Sequence, residues 1–118
     1  MFELKRRYPR YDVDKPLVAH RLHDEMSVPI RGRWRQFGEG GAGAQMSEQL
    51  RFGEVIRMDL SPSLKVYAAV RYSQAFYHGF EFVLLKDREK EELARMSREL
   101  GEESDQIPEA RPLTWRSH

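Results

Sequence analysis

The residues best suited to chemistry in this sequence are three arginines near its amino-terminal end. They lie in the segment Arg6-Arg7-Tyr8-Pro9-Arg10, where three residues separate Arg6 from Arg10. Pro9 disfavours helical backbone at Tyr8, so the segment is expected to be extended. A guanidinium group is planar and presents forked N–H donors, which suit phosphate oxygens and the O6/N7 edge of guanine. The segment therefore predicts either an anion-binding arm or a solvated basic terminus.

A glycine-rich stretch is the second candidate. Four of the six residues in Gly38-Glu39-Gly40-Gly41-Ala42-Gly43 are glycines, which indicates a turn or a close backbone approach rather than a regular strand. Gly40 and Gly41 could let backbone N–H groups approach a phosphate or a base of a ligand. No Gly-Lys-Ser/Thr follows and the spacing is not that of a dinucleotide-binding fold, so neither nucleotide motif is expected. A tight structural turn is the simpler interpretation.

Other residue clusters predict no enzyme, cofactor or metal site. The chain has no cysteine, which excludes disulfides, thiolate catalysis and Cys-ligated zinc. His20, His23 and Asp24 lie on a strand-to-turn segment with no third neutral ligand, so solvated histidines are the simpler interpretation. The serines lack a nucleophile context, and the carboxylates from Glu89 to Glu103 fit a solvated helix face.

The net charge of +1 conceals an uneven distribution along the chain. Residues 1–35 contain nine Lys/Arg against five acids, whereas residues 86–105 contain five against eight. A basic front end indicates an anionic partner, although the surplus is too small for a general DNA-coating protein.

Length and composition favour one packed domain in the cytoplasm. With 118 residues, 40% of them hydrophobic and 13 of them aromatic, the chain is long enough for a core and too short for a multidomain enzyme. No apolar run approaches the roughly 18 residues of a membrane span. No apolar segment follows the basic start, so we expect no signal peptide.

Short alternating runs separated by Gly, Pro and Ser turns predict a small antiparallel barrel or sandwich. The expected strands cover residues 17–22, 28–37, 55–60, 65–72 and 77–83. Near the last hairpin, the aromatic residues are expected in the core, with any exposed member available to a partner. These residues are Phe76, Tyr77, Phe80 and Phe82.

The pattern then changes to that of a helix over residues 87–100. Asp87 is a suitable N-cap, and Leu93, Met96 and Leu100 form a narrow apolar stripe. Gly101 stands where a helix stop is expected, which leaves residues 101–118 as a polar tail.

Taken in order, five segments of the sequence resemble a PilZ domain, the bacterial receptor module for cyclic di-GMP. The resemblance spans about residues 5–100. It implies a six-stranded antiparallel β-barrel with a C-terminal α-helix over residues 1–100, including an arginine arm at 1–12. The matching segments are Arg6–Val13, Gly38–Ala44, Gly53–Leu60, Val66–Arg71 and His78–Phe82.

The resemblance also implies a ligand and the first group of residues that hold it. PilZ domains bind cyclic di-GMP, often as an intercalated dimer, between an Arg-x-x-x-Arg arm and a turn. The arm motif falls on Arg6 and Arg10, with Arg7 as a helper, and these arginines would engage phosphates and guanine. Folding of the arm over the ligand would then change how the domain meets a protein partner.

The second group of implied residues departs from the family pattern. The family turn reads Asp/Asn-x-Ser-x-x-Gly, and it falls on Gln36, Gly38 and Gly41. Gln36 keeps an acceptor oxygen but lacks the carboxylate, and Gly38 has no hydroxyl. Each lost polar contact costs about 1 kcal/mol, or about 1.5–3 kcal/mol if charged.

Three hypotheses for function follow. The first is a non-enzymatic signalling module that binds cyclic di-GMP and reorders its arm to regulate a protein partner, favoured because the arginine motif is intact. The second, motivated by Gln36 and Gly38, is a degenerate PilZ domain that binds no nucleotide and acts as a protein–protein interaction module. The third is a nucleic-acid-binding barrel that uses an exposed face with Arg31, Arg33 and Arg35.

Overall fold

Six strands and one helix form the part of the chain that the structure describes. This computed structural model describes residues 9–22 and 28–105. The elements are β1 (Arg10–Arg21), β2 (Ile30–Gly38), β3 (Gly41–Met46), β4 (Val55–Ser61), β5 (Leu64–Gln74), β6 (Tyr77–Val83) and α1 (Asp87–Asp105). Arg6, Arg7, His23, Asp24 and residues 106–118 of the predicted tail lie outside the described residues.

The strands close into a barrel in the order β1-β2-β3-β6-β5-β4. Every neighbouring pair is antiparallel, including β1 with β4, which completes the ring. Closure pairs the backbone of each strand on both sides and removes the exposed edges that invite aggregation. The predicted six-stranded antiparallel barrel with a C-terminal helix is confirmed. No helix in the described part of the chain has the length and apolar character needed to cross a membrane.

Aromatic and aliphatic side chains from all six strands fill the barrel. Trp34 packs edge-on against Phe37, and Phe37 packs against Phe82, with 5.8 Å between ring centroids in both pairs. Leu93 of α1 is fully buried, with Met96 and Leu100 packed beside it, so the helix covers the core with the predicted stripe. Burial of each such side chain stabilises the fold by about 1.5–3 kcal/mol.

An irregularity in β2 determines which of its side chains point outward. The β2–β3 pairing shifts between Trp34, which pairs with Ala44, and Gln36, which pairs with Gly43. Because of this bulge, Trp34 and Phe37 both enter the core although three positions separate them. Gln36 is consequently carried to the outer surface beside Gly43.

The glycine-rich stretch is mostly a strand, which corrects the prediction of a turn. Only Glu39 and Gly40 lie between β2 and β3, and Gly41–Met46 pairs on both sides, with β2 and with β6. A Cβ on Gly43 would overlap the Tyr77 hydroxyl. The packing of neighbouring side chains against β3 therefore overrides the low strand propensity of glycine.

Two predicted boundaries also move. Strand β1 begins at Arg10, well before Leu17, because its backbone already pairs with the end of β2. Helix α1 continues past Leu100 and Gly101 to Asp105, so the predicted helix end and tail start are wrong. Gly101 does not act as a stop, because it serves close packing: a Cβ there would lie 3.2 Å from the Tyr11 Cζ and Oη.

A buried histidine ties the loop before β4 to the barrel. His78 is fully buried, and its ring stacks on Phe80 with 5.9 Å between centroids. The Leu50 N–H donates a hydrogen bond of 2.9 Å to His78 Nε2, which requires that nitrogen to be unprotonated. Burial lowers the pKa of His78, so the ring is neutral near pH 7.

Candidate functional site

The structure brings the second arginine of the arm onto the glycine turn. Arg10 pairs with Gly38 across β1 and β2, and Asp12 pairs with Gln36. Strand pairing alone therefore places three of the sequence-predicted residues, Arg10, Gln36 and Gly38, on two neighbouring strands. Arg6 and Arg7 belong to the arm before Pro9 and lie outside the described residues.

The Arg10 side chain runs over Gly38 and ends against Gly41. A Cβ on Gly38 would overlap the Pro9 carbonyl oxygen and lie 3.2 Å from Arg10 Cγ. A Cβ on Gly41 would lie 2.9 Å from Arg10 Nη2 and would overlap the Phe80 carbonyl oxygen. Both positions therefore need glycine for this approach of backbone and guanidinium. Gly38 thus lacks the serine hydroxyl of the family turn, but it lets Pro9 and Arg10 lie directly against the backbone.

The outer surface beyond Arg10 continues across β3 and β6. Gly41 pairs with Glu81, and Gly43 pairs with Gly79. Gln36 flanks Gly43 from the other side, on β2. Next to the Arg10 guanidinium, the outer surface continues over Gly43 and Gly79, with the Gln36 amide at one edge.

Two tyrosines lie on this backbone. The ring of Tyr77 lies over Gly43, because a Cβ there would be 2.9 Å from Tyr77 Cζ. The side chain of Tyr72 lies over Gly79, where a Cβ would be 3.2 Å from Tyr72 Cβ. The two rings meet edge to face, with centroids 6.4 Å apart and an angle of 67° between their planes. Together they cover this backbone on the side away from Arg10, and Gly43 is buried beneath Tyr77.

Sequence analysis assigned Tyr77 to the core and missed Tyr72. The alternation of β6 contains the signal: His78, Phe80 and Phe82 are buried, so Tyr77 and Gly79 face outward. Among the four aromatic residues predicted for the core, Phe80 and Phe82 are buried, whereas Phe76 is 48% exposed.

The three arginines on the outer face of β2 are partly neutralised by one aspartate. Asp14 Oδ1 accepts hydrogen bonds from Arg33 Nε at 2.8 Å and from Arg35 Nη1 at 3.2 Å. The Arg33 hydrogen bond, with help from Arg35, holds the pKa of Asp14 below its ordinary value. All these groups are at least half exposed, so the pairs add little to stability. The arrangement reduces the positive charge that the nucleic-acid hypothesis needs.

Of the predicted histidine cluster, His20 lies among the described residues, whereas His23 and Asp24 do not. His20 Nε2 lies 3.3 Å from Asp59 Oδ2, on the β1–β4 surface, and Asp59 also lies near Arg57 and Lys65. No group of three or more His, Asp or Glu side chains that could hold a metal ion occurs among the described residues.

Comparison with solved structures finds the same fold in PilZ domains. The PilZ domain of CeSA from a cellulose-synthesizing bacterium aligns with a TM-score of 0.65 at 14% identity, covering 79% of this chain and 98% of that one. The PilZ domain of YcgR from Escherichia coli with cyclic di-GMP aligns with a TM-score of 0.66 at 18% identity, covering 90% and 98%. At these identities the likeness shows a shared fold.

A longer YcgR chain from Escherichia coli, in complex with cyclic di-GMP, gives a TM-score of 0.65 at 20% identity. That match covers 91% of this chain but 51% of the YcgR chain, so this chain spans about half its length. None of the curated proteins matches the chain in sequence. The family model for the PilZ domain matches residues 4–99, which include the arm, the whole barrel and most of α1. The chain belongs to the PilZ domain family.

Proposed function

We propose that this PilZ domain is a non-enzymatic, cytoplasmic signalling module that binds cyclic di-GMP. PilZ domains are a family of cyclic di-GMP receptors, and two of the similar structures are complexes with this ligand. The observation that supports the proposal is the contact of Arg10, the second arginine of the Arg-x-x-x-Arg motif, with Gly38 and Gly41 of the turn motif.

The groups at this surface match the chemistry of the ligand. The Arg10 guanidinium can donate two parallel hydrogen bonds to a phosphate or to guanine O6 and N7. Gln36 can accept a hydrogen bond from the guanine N1/N2 edge through its amide oxygen, more weakly than a carboxylate would. Gly41 lets the Arg10 guanidinium lie close to β3, where it can face a flat base. Arg6 and Arg7 are assigned to the remaining phosphate and base contacts, as the family resemblance implies.

The proposed rearrangement on binding is confined to the residues before Pro9. Arg10 belongs to β1 and its backbone pairs with Gly38, so strand pairing holds this residue. In this proposal, closing the arm over the ligand costs conformational entropy chiefly in the residues that precede β1.

A route from the ligand to a protein partner begins at the next residue. Tyr11 follows Arg10 and contacts Gly101 of α1 on the other side of the strand. A shift of the Arg10 backbone would thus displace Tyr11 and, with it, the last turns of the helix. We propose this end of α1 as the part of the domain that reports ligand binding to a partner.

The test is isothermal titration of the full chain with cyclic di-GMP, with cyclic di-AMP and GTP as controls. We expect saturable binding of cyclic di-GMP alone. Replacement of Arg10 with Ala removes charged hydrogen bonds worth about 1.5–3 kcal/mol and should weaken binding about 10- to 100-fold. Arg98→Ala, on the exposed face of α1, is the matched control and should bind as the wild type does.

The second candidate, a PilZ domain that binds no nucleotide, is favoured by the chemistry of Gln36 and Gly38. These positions lack the carboxylate and the hydroxyl of the family turn. This candidate predicts no heat of binding with any of the three nucleotides, and a protein partner whose capture is unaffected by added cyclic di-GMP. Tight binding of cyclic di-GMP by the wild-type chain rules it out.

A further inference from the structure

Tyr77 places a phenol hydroxyl on the outer surface of β3, beside the seat of Arg10. The residue belongs to β6 and pairs with Gln45, but its ring crosses diagonally to Gly43. Its hydroxyl occupies the place where a side chain at residue 43 would begin. A residue of β6 thereby supplies the polar group that β3 lacks at this position.

The Tyr77 hydroxyl and the Arg10 guanidinium lie at neighbouring outward positions of one strand. Arg10 lies against Gly41 and Tyr77 against Gly43, and two residues of a strand span about 6.5–7 Å. That spacing is of the order of the length of a purine ring system. Gln36 flanks Gly43 from β2, so a cation, an amide and a phenol surround the same stretch of backbone.

Packing against Tyr72 and Gly43 holds the Tyr77 ring in place. The ring packs edge to face with Tyr72, whose own hydroxyl donates to Gln74 Oε1. In contrast, the Tyr77 hydroxyl has no hydrogen-bond partner within residues 9–22 and 28–105. The hydroxyl of a half-buried tyrosine gains most from a partner that the ligand brings.

We propose that Tyr77 is a further ligand-binding residue, whose hydroxyl hydrogen-bonds the polar edge of the guanine base that Arg10 and Gln36 hold. This assignment rests on the proposed function. It gives the site a hydroxyl in place of the one missing at Gly38, from a different strand and from the opposite side of the base.

Titration calorimetry of the full chain with cyclic di-GMP tests the assignment through Tyr77→Phe, which removes the hydroxyl and keeps the ring. Loss of one neutral hydrogen bond should weaken binding about two- to tenfold without a change in melting temperature. Tyr67→Phe is the matched control, because Tyr67 is a partly exposed tyrosine on β5 that pairs with Arg57 of β4. We expect Tyr67→Phe to bind as the wild type does.

A second variant keeps the assignment testable if the hydroxyl effect is small. Tyr77→Leu removes both the hydroxyl and the ring and should weaken binding more than Tyr77→Phe. Wild-type affinity in both variants, while Arg10→Ala loses binding, would overturn this assignment alone. Absence of binding by the wild-type chain would overturn the proposed function and this assignment with it.

Discussion

Strands β2 and β3 contain four glycines, whereas β4 and β5 contain none. On β4 and β5 each outward position carries its own side chain, and these side chains pair with one another, as Asp59 does with Lys65 at 3.5 Å. At the glycines of β2 and β3 the strand has no side chain of its own, and side chains from other strands cover it: Arg10 from β1 and Tyr77 from β6. The candidate site forms where side chains from other strands take the place of those that the glycines lack, because this brings Arg10 and Tyr77 side by side on β3.

The largest effect is expected from adding a side chain to β3 at Gly41. In Gly41→Ala the new Cβ meets the Phe80 carbonyl and the Arg10 guanidinium, so the backbone must shift. We expect a loss of about 1–3 kcal/mol in the free energy of unfolding, and loss of cyclic di-GMP binding. Urea denaturation measures the first. Ser63→Ala in the exposed β4–β5 turn is the control and should change the free energy by less than about 0.5 kcal/mol. Equal stability of the two variants would contradict the comparison.

The two departures from the family turn should respond in opposite directions when they are reversed. Gln36→Asp restores a charged acceptor and should tighten cyclic di-GMP binding about tenfold. Gly38→Ser restores the hydroxyl, but its Cβ overlaps the Pro9 carbonyl oxygen and displaces the arm, so binding should weaken. Calorimetry on both variants measures the two affinities. Tighter binding by Gly38→Ser would show that the close contact of Pro9 with Gly38 is not needed for ligand binding.

His78, whose side chain is buried inside the barrel, predicts a dependence of stability on pH. Burial lowers the pKa of His78 in the folded chain, whereas the unfolded chain keeps the ordinary value of about 6.5. As the pH falls below about 6.5, the unfolded chain binds a proton that the folded chain does not. The free energy of unfolding therefore decreases, by at most about 1.4 kcal/mol per pH unit from this group.

Urea denaturation at about pH 7.5 and about pH 5 measures this effect. His78→Gln keeps an acceptor for the Leu50 N–H but does not titrate, so its stability should change less between the two conditions. His20→Gln, on the β1–β4 surface, is the control. The same pH dependence in wild type and His78→Gln would contradict the role given to burial.

The smallest effect is expected at Asp14. Its hydrogen bonds with Arg33 and Arg35 are exposed to solvent, so Asp14→Asn should leave the melting temperature unchanged within about 2 °C. It should also release positive charge on β2 and strengthen weak, salt-sensitive binding to single-stranded nucleic acid. A large drop in melting temperature would show that these pairs support the barrel.

Strands β4, β5 and β6 could be predicted from the sequence, whereas β3, on which the candidate site lies, could not. Alternation over residues 55–60, 65–72 and 77–83 predicted β4, β5 and β6, because there each residue's own polarity decides which way it faces. The glycines of β3 have no side chain to alternate, so the strand appeared as a turn. The contacts that hold it come from residues distant in sequence.

The candidate site shows the same division. The resemblance to PilZ domains paired Arg10 with Gly38 and Gly41, and the structure places them in contact. It gave no indication of Tyr77. This residue belongs to β6 but its ring lies on β3, and the two strands are neighbours only in the folded barrel. Gly101 was similarly misleading. The sequence predicted the end of the helix there, whereas the residue lies inside α1 and packs against Tyr11.

The central claim is that cyclic di-GMP lies between Arg10 and Tyr77 on the outer surface of β3. The glycine amides of the full chain, followed by ¹⁵N–¹H NMR during titration with cyclic di-GMP, test it most directly. The account predicts that Gly38, Gly41 and Gly43 shift, while Gly53, in the turn before β4, and Gly32, near the other end of β2, do not. Shifts confined to Gly32 and Gly53, or no shift at a saturating concentration of ligand, would contradict it.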